Sequence, residues 1–284
     1  MRLNIQHRTH YIYSGQSSSS HNEIRLKPVS NGVQTCLEYR VVVNPRTKVY
    51  EYETIGGVVN HFAVMDPHVE LDIQTEAVVD TFARNPFESL DLLSEDLAAP
   101  SEAYHRAYVE FLSESPYVQL LPDLASISAG ILAESGRNTA QYVLNVKEWI
   151  FRKFDYRANV TNVHTLLDEV LELKAGVCQD FSHVMIGLCR IVGIPARYVS
   201  GYLYLGDHDE LRGTQATHAW VEVLLPNGEW MGIDPTNDIV ADDRYVKVHV
   251  GRDYSDVTPV KGVYVGYGTQ QMDISVGVQA LSSA

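Results

Sequence analysis

Three side chains in this sequence have the types needed for nucleophilic catalysis: Cys178, His218 and Asp234. A cysteine thiolate can attack a carbonyl carbon, an imidazole can carry the proton, and a carboxylate can hold the imidazole in place. Taken singly, each residue has a commoner structural role: a buried cysteine, a hydrogen-bonded histidine or an aspartate that ends a strand. Their combination in one chain favours a nucleophile, a base and its orienter.

The cysteine lies where a helix should begin. Apolar residues recur after it with helical spacing, and Gly193 should end the helix; these residues are Val177, Phe181, Val184, Met185, Leu188 and Val192. The unpaired N–H groups of a first helical turn stabilise a thiolate and can donate hydrogen bonds to an oxyanion. We therefore predict that Cys178 is the nucleophile and that Cys189, farther along the same helix, belongs to the core.

The histidine and the aspartate flank a turn signal, Pro226-Asn227-Gly228. Proline and asparagine suit the central positions of a type I turn, and glycine suits the left-handed residue that follows. A three-residue loop then pairs Leu225 with Glu229, and it places His218 and Asp234 on one face of a β-hairpin as diagonal neighbours. A two-residue loop would put them on opposite faces, so the proposed triad depends on this register.

The elements that must position these residues follow the order β, α, β. Short alternating runs bounded by turn residues fill the first eighty residues, with connecting turns predicted at 17–20 and 30–32. Helical spacing replaces them from about residue 85, with Asn138 as a helix N-cap. Alternation returns from Ala196. We predict an α+β protein with an N-terminal antiparallel β module, resembling a sandwich, at residues 1–82 and a catalytic domain, including its leading helices, at residues 83–284.

Composition excludes several classes of protein. The net charge of −14 argues against a nucleic-acid partner. No apolar run approaches the roughly 20 residues of a membrane span, and the first residues show no signal peptide, so we expect no membrane partner and a cytoplasmic location. The small and odd number of cysteines, three, argues against a disulfide framework. We expect no cofactor, because the chain has no P-loop or dinucleotide fingerprint, and no metal, because Cys178, His183 and Cys189 lack the usual zinc-ligand spacing.

Four segments together resemble the transglutaminase-like superfamily, in its bacterial branch of papain-like cysteine proteases. They are Gly176 to Phe181, Gly193 to Tyr202, His218 to Val223, and Asp234 to Asn237. The N-terminal eighty residues are similar to the β module that precedes the core in this branch, and residues 251–257 are similar to its C-terminal segment. The resemblance implies a core in which a helix bearing the nucleophile packs on an antiparallel sheet. It also implies that Cys178 attacks a carbonyl, His218 transfers the proton and Asp234 holds the imidazole.

The predicted chemistry leaves three functions open. Hydrolysis of a peptide or protein substrate through a cysteine thioester is the leading hypothesis. In a transglutaminase, an amine rather than water would resolve the thioester, and the same triad serves both reactions. A non-catalytic interaction module that keeps the fold is the third hypothesis, and the intact triad argues against it.

Overall fold

The computed structural model describes residues 1–83, 102–136, 138–206, 211–212 and 216–281. Five strands form the first part, as the alternation of apolar and polar residues predicts. They are β1 (Arg2–Ile24), β2 (Gln34–Asn44), β3 (Val49–Thr54), β4 (Gly57–Val64) and β5 (His68–Thr81). The predicted start of the helical part near residue 85 lies outside the described residues.

The predicted turn at residues 17–20 is wrong, because β1 continues through it. Ser19 has a φ of 47°, and the pairing of β1 shifts register between Ile12 and Ser17 and again between Ser18 and His21. A bulge of this kind bends a strand without ending it. Beyond the bend β1 leaves its main partner β5 and pairs with β4.

Helices fill the middle of the chain. They are α1 (Glu102–Ala107), α2 (Pro122–Glu134), α3 (Thr139–Lys153), α4 (Leu167–Leu173) and α5 (Cys178–Ile191), with a 3-10 turn at Val109–Phe111 and two short parallel strands, β6 (Asp155–Tyr156) and β7 (Ala175–Gly176). The predicted N-cap is confirmed, since the Asn138 side chain accepts a hydrogen bond from the Gln141 N–H at 2.9 Å. Gly193, at φ 83°, follows the end of α5 as predicted.

The remaining strands complete the sheet. They are β8 (Ala196–Leu203), β9 (His218–Leu224), β10 (Trp230–Asp234), β11 (Ile239–Val240), β12 (Tyr245–Gly251), β13 (Val260–Gly266) and β14 (Gln270–Ala280), with α6 (Tyr254–Val257) between β12 and β13. Within the described ranges, one 12-stranded sheet runs in the order β11-β10-β9-β8-β12-β4-β1-β5-β2, while β3 pairs with β4, and β13 and β14 pair with β1. The α+β class is confirmed.

Helix α5 is the centre of the main core. It packs against α2, α3 and α4 on one side and against β8 and β9 on the other. Its side chains Phe181, Val184, Met185 and Leu188 are fully buried there. This burial fixes the position of the helix start, and with it the position of Cys178 relative to β9.

The first and last parts of the chain share one strand. Residues Leu3 to Ile12 of β1 pair with β5 on one edge and with β14 on the other. The boundary at residue 82 stays a prediction, and the hydrogen bonds between β1 and β14 join the two predicted domains. No helix of the described part of the chain is long and apolar enough to cross a membrane; the cytoplasmic location stays a prediction.

Candidate active site

The start of α5 is built around Asp180. Its carboxylate oxygen Oδ2 accepts hydrogen bonds from the Val177 N–H at 2.8 Å and from the Thr161 hydroxyl at 2.7 Å. A Cβ on Gly176 would lie 2.4 Å from that same oxygen, so only glycine fits there. Asp180 thus ties the residue before the helix to the first turn, as N-terminal capping residues do. Cys178 is held as the first helical residue.

His218 and Asp234 lie on the paired strands β9 and β10, in the predicted register. The Leu225 N–H donates to the Glu229 carbonyl at 2.8 Å, and Gly228 has the predicted left-handed φ of 84°. The loop therefore has three residues. The two side chains meet across the strands, with His218 Nε2 and Asp234 Oδ2 2.8 Å apart.

Asp234 is fully buried and accepts hydrogen bonds at both oxygens. Oδ1 accepts from the N–H groups of Thr236 at 2.8 Å and Asn237 at 3.3 Å. Oδ2 accepts from His218, from the Asn237 side-chain amide and from the Tyr245 hydroxyl, each at 2.8 Å. An ionised carboxylate suits this cluster of five donors because it only accepts hydrogen bonds and has no proton to donate. The arrangement selects the charged form of Asp234.

The histidine and the aspartate shift each other's pKa. Burial alone would lower the pKa of His218, but the Asp234 carboxylate and the nearby Cys178 thiol raise it above its ordinary value. Burial alone would raise the pKa of Asp234, but His218, Asn237 and Tyr245 lower it. An imidazolium paired with a carboxylate is therefore the favoured state of this buried pair.

The second ring nitrogen of His218 is left for chemistry. Nε2 is occupied by Asp234, while Nδ1 is buried and has no hydrogen-bond partner within the described residues. The ring centroids of Trp220 and Tyr245 lie 6.2 Å and 6.1 Å from the centroid of the imidazole ring. Both rings are neighbours of the imidazole within the buried site. Nδ1 is the atom that can exchange a proton with the Cys178 thiol or with a bound substrate.

Cys178 and His218 open into one cleft of about 700 Å³. Cys178 lies at the base of this cleft and is 9% exposed. The walls come from both ends of the chain: His7, Thr9 and Tyr11 of β1 face the cleft, and so do side chains of β14. The N-terminal strands thus take part in shaping the space above the thiol.

Cys189 and His183 are placed away from the reacting groups, although both are in α5. Cys189 is fully buried, and burial raises the pKa of its thiol to about 12, so it stays protonated. His183 stacks on the Tyr117 ring at 5.5 Å, and its Nε2 accepts a hydrogen bond from the Tyr254 N–H at 3.2 Å. No group of three metal-ligating side chains occurs in the described ranges. Cys189 is a core residue, as predicted.

Two neighbours of Asp234 were not predicted from the sequence. Asn237 lies in the same Asp-Pro-Thr-Asn segment, where an amide three residues after the aspartate is the kind of signal that could have found it. Tyr245 reaches Asp234 from β12, and no local pattern in the sequence indicates this contact. Both hold the carboxylate by its Oδ2 oxygen.

Family models and known proteins match nearly the whole chain. Residues 126–235 match the transglutaminase-like superfamily, and residues 3–80 match the bacterial transglutaminase-like N-terminal region. An uncharacterized protein of Mycobacterium leprae is 35% identical over 99% of each chain, and one of Mycobacterium tuberculosis is 32% identical over 98% of this chain and 92% of its own. The crystal structure of a "putative cysteine protease" from Cytophaga hutchinsonii matches 100% of this chain and 92% of its own, with a TM-score of 0.78 and 22% identity. That likeness shows a shared fold.

Proposed function

Because this chain belongs to the transglutaminase-like superfamily, we propose that it is a thiol-dependent acyl-transfer enzyme that hydrolyses peptide or amide bonds. Cys178 is the nucleophile, His218 the proton carrier and Asp234 its orienter. The observation that carries the proposal is the 2.8 Å contact between His218 Nε2 and Asp234, which leaves Nδ1 without a partner among the described residues, while Cys178 is near enough to raise the pKa of the ring. A protein that only binds partners has no need of a buried ion pair next to a cysteine at the base of a cleft.

The reaction begins with Cys178 as a thiolate and His218 as an imidazolium. The sulfur forms a bond to the substrate carbonyl carbon, and the carbonyl oxygen becomes an oxyanion. Unpaired N–H groups at the start of α5 can donate hydrogen bonds to it. As the intermediate collapses, the carbon–nitrogen bond breaks and the leaving amine takes the proton from His218 Nδ1. A thioester and a neutral imidazole remain.

Water completes the cycle in our proposal. Neutral His218 takes a proton from water at Nδ1, and the oxygen attacks the thioester carbon. Breaking the carbon–sulfur bond releases the acid and restores thiolate and imidazolium. Asp234 stabilises the imidazolium at both steps because it stays ionised. If an amine took the place of water, the same steps would give transamidation, and the acceptor alone would differ.

Labelling and turnover test the proposal together. The protein is treated with an iodoacetamide probe, and hydrolysis of a mixed peptide library is followed with and without a primary amine. We expect Cys178→Ala to lose the rapid label and at least about 10³-fold in turnover. The matched variants are Cys189→Ala, which removes a buried thiol, and Cys36→Ser, which removes a half-buried one; both should keep label and turnover.

Each result has a distinct meaning. Turnover that survives in Cys178→Ala would overturn the assignment of the nucleophile. Equal loss of label in the Cys178 and Cys189 variants would do the same. Amine incorporation that outpaces hydrolysis would replace the protease assignment by transamidation.

A further inference from the structure

Strand β14 has one apolar and one polar face. Its polar face carries Gln271, Asp273 and Ser275, and its apolar face carries Met272, Ile274, Val276 and Val278. Val276 and Val278 pack against the buried cluster that contains Leu3, Ile5 and Tyr202. Met272 and Ile274 belong to no core cluster of the described residues and remain 51% and 40% exposed. The covered face of the strand thus becomes an open one partway along its length.

The open part of this face is a wall of the cleft that holds Cys178 and His218. Met272 and Ile274 both line that cleft, and they lie opposite Tyr11 and Thr9 of β1 in the strand pairing. Exposed apolar side chains are common on protein surfaces, but neighbouring ones that line a candidate catalytic cleft indicate a binding surface. We call Tyr11, Met272 and Ile274 the apolar wall.

Two polar residues beside the apolar wall, His7 and Thr9, already have hydrogen-bond partners. His7 Nε2 lies 3.0 Å from the Thr9 hydroxyl, and Nδ1 lies 3.2 Å from the Tyr202 hydroxyl. Burial lowers the pKa of His7 to about 4, so the ring is neutral at pH 7. A ligand would therefore meet neither a charge on His7 nor a free nitrogen of its imidazole ring. The floor next to the wall therefore suits an apolar side chain.

The charge of the cleft differs from that of the whole protein. The chain has a net charge of −14, yet none of the described residues that line the cleft is an aspartate or glutamate. Lys261 is the one lysine or arginine among them. A lysine-rich or arginine-rich peptide would find no carboxylate partner there.

We propose that the apolar wall is a side-chain subsite, and that the substrates are polypeptides with large apolar residues next to the attacked bond. The proposal rests on the proposed function, since the wall is defined by its place above Cys178. An extended peptide in this cleft would cover Met272 and Ile274 with an apolar side chain and release the water held against them. The wall is shared by the first and last strands, so both ends of the chain take part in substrate selection.

The test compares three aminomethylcoumarin amides: acetyl-Phe-Leu-Gln, acetyl-Ser-Ser-Gln and acetyl-Lys-Lys-Gln. We expect the wild-type protein to favour the Phe-Leu substrate over the other two by at least about tenfold in kcat/KM, the discrimination that a few buried methylenes provide. In the double variant Met272→Ser, Ile274→Ser the preference should fall below about threefold.

Val263→Ser, Val265→Ser is the matched control. These two valines are 70% and 66% exposed on β13, in the same part of the sheet, and do not line the cleft. Because all four side chains are at least 40% exposed and none belongs to a core cluster of the described residues, neither double variant should lower the melting temperature appreciably. The control should keep the full Phe-Leu preference. An equal loss of preference in both double variants would overturn the proposal.

A binding measurement separates the subsite from the chemistry. Fluorescein-labelled peptides containing Phe-Leu-Gln or Ser-Ser-Gln are titrated with Cys178→Ala protein and followed by fluorescence polarisation. Tighter binding of the Phe-Leu peptide that depends on Met272 and Ile274 supports the wall even if no amide is hydrolysed, in which case the proposed function alone fails. Hydrolysis without any Phe-Leu preference would keep the proposed function and overturn the proposed subsite. The absence of both the binding difference and the hydrolytic preference would also overturn the subsite.

Discussion

The Tyr245 hydroxyl donates a 2.8 Å hydrogen bond to Asp234 Oδ2, the oxygen that also accepts from His218. The two residues lie on different strands, β12 and β10, which are not neighbours in the sheet. Burial and the Asp234 carboxylate raise the pKa of Tyr245, so its hydroxyl keeps its proton and remains a donor. Tyr245 thus fixes the orientation of a carboxylate that in turn fixes an imidazole.

Replacing Tyr245 by phenylalanine tests this positioning role. A hydrogen bond to a buried charge contributes about 1.5–3 kcal/mol, so we expect lower stability and a loss of about tenfold in kcat with little change in KM. The NMR signal of the His218 Nε2–H should move, because its acceptor becomes freer. Tyr39→Phe is the control: it removes a 3.1 Å hydrogen bond to Asn60, a contact that involves neither His218 nor Asp234, and it should leave kcat and that signal unchanged. Equal effects of the two variants on kcat would contradict the role.

Asp234→Asn should damage both the site and the fold. An asparagine has one acceptor oxygen for the donors that now surround two carboxylate oxygens, so at least one donor remains unpaired in a buried place, at a cost of about 1–3 kcal/mol. It also cannot stabilise the imidazolium. We expect at least about 10²-fold lower turnover and a lower melting temperature.

Asp238→Asn is the control for that variant. Asp238 has a left-handed φ of 58°, a conformation that asparagine tolerates well. It would lose only its ion pair with Lys147, which is partly exposed. Turnover should stay close to the wild-type value. A larger loss in Asp238→Asn than in Asp234→Asn would mean that another group orients His218.

The buried pair should stabilise the protein within a window of pH. The pKa of His218 is raised above 6.5. Its contribution to the free energy of unfolding is therefore complete below pH 6.5 and is lost as the pH rises through the raised pKa. The pKa of Asp234 is lowered below 3.8. Its contribution to the free energy of unfolding is therefore complete above pH 3.8 and is lost as the pH falls through the lowered pKa. Both contributions are complete between these two values.

Thermal melts at several pH values measure this window. They should be made in a Cys178→Ala background, so that the comparison isolates the His218–Asp234 pair. There the melting temperature of the protein with Asp234 should exceed that of Asp234→Asn most between about pH 4 and 6.5, and the gap should narrow at higher pH. A gap that stays constant up to about pH 10 would show that His218 is not held as an imidazolium.

A shortened chain that begins at Asn138 should fail to fold. It lacks β1, the partner of β13 and β14, and it lacks Gln34, whose side chain exchanges two 2.8 Å hydrogen bonds with the Lys247 backbone. The cleft would also lose Tyr11. We expect aggregation or a broad, non-cooperative melt, measured by size-exclusion chromatography and circular dichroism. A folded and fully active shortened protein would show that the N-terminal strands are dispensable.

The parts of the site that depend on local chemistry could be predicted from the sequence. Helical spacing after Cys178 placed it at a helix start, and Pro226-Asn227-Gly228 determined the register that brings His218 to Asp234. Both signals act over a few residues, where turn geometry and side-chain periodicity decide the outcome.

The rest depends on contacts between distant residues. Period-two alternation in β14 predicts a strand, but nothing local indicates that β1 is its partner or that Met272 faces the cleft. Tyr245 is likewise one tyrosine among 17 in the sequence. The turn predicted at residues 17–20 failed for a related reason: pairing with distant strands on both sides carries β1 through its bulge.

The pairing of β1 with β14 also determines when the cleft is completed during synthesis. Leu3 lies opposite Ala280, so β1 must wait for β14, which is synthesised much later. Contacts between such distant segments slow folding, because a long loop must close before the pairing compensates for the lost entropy. The nascent chain therefore carries the Cys178 thiol long before it carries the wall that we assign to substrate binding. If our proposal is right, selective cleavage should require a chain that has been synthesised through β14.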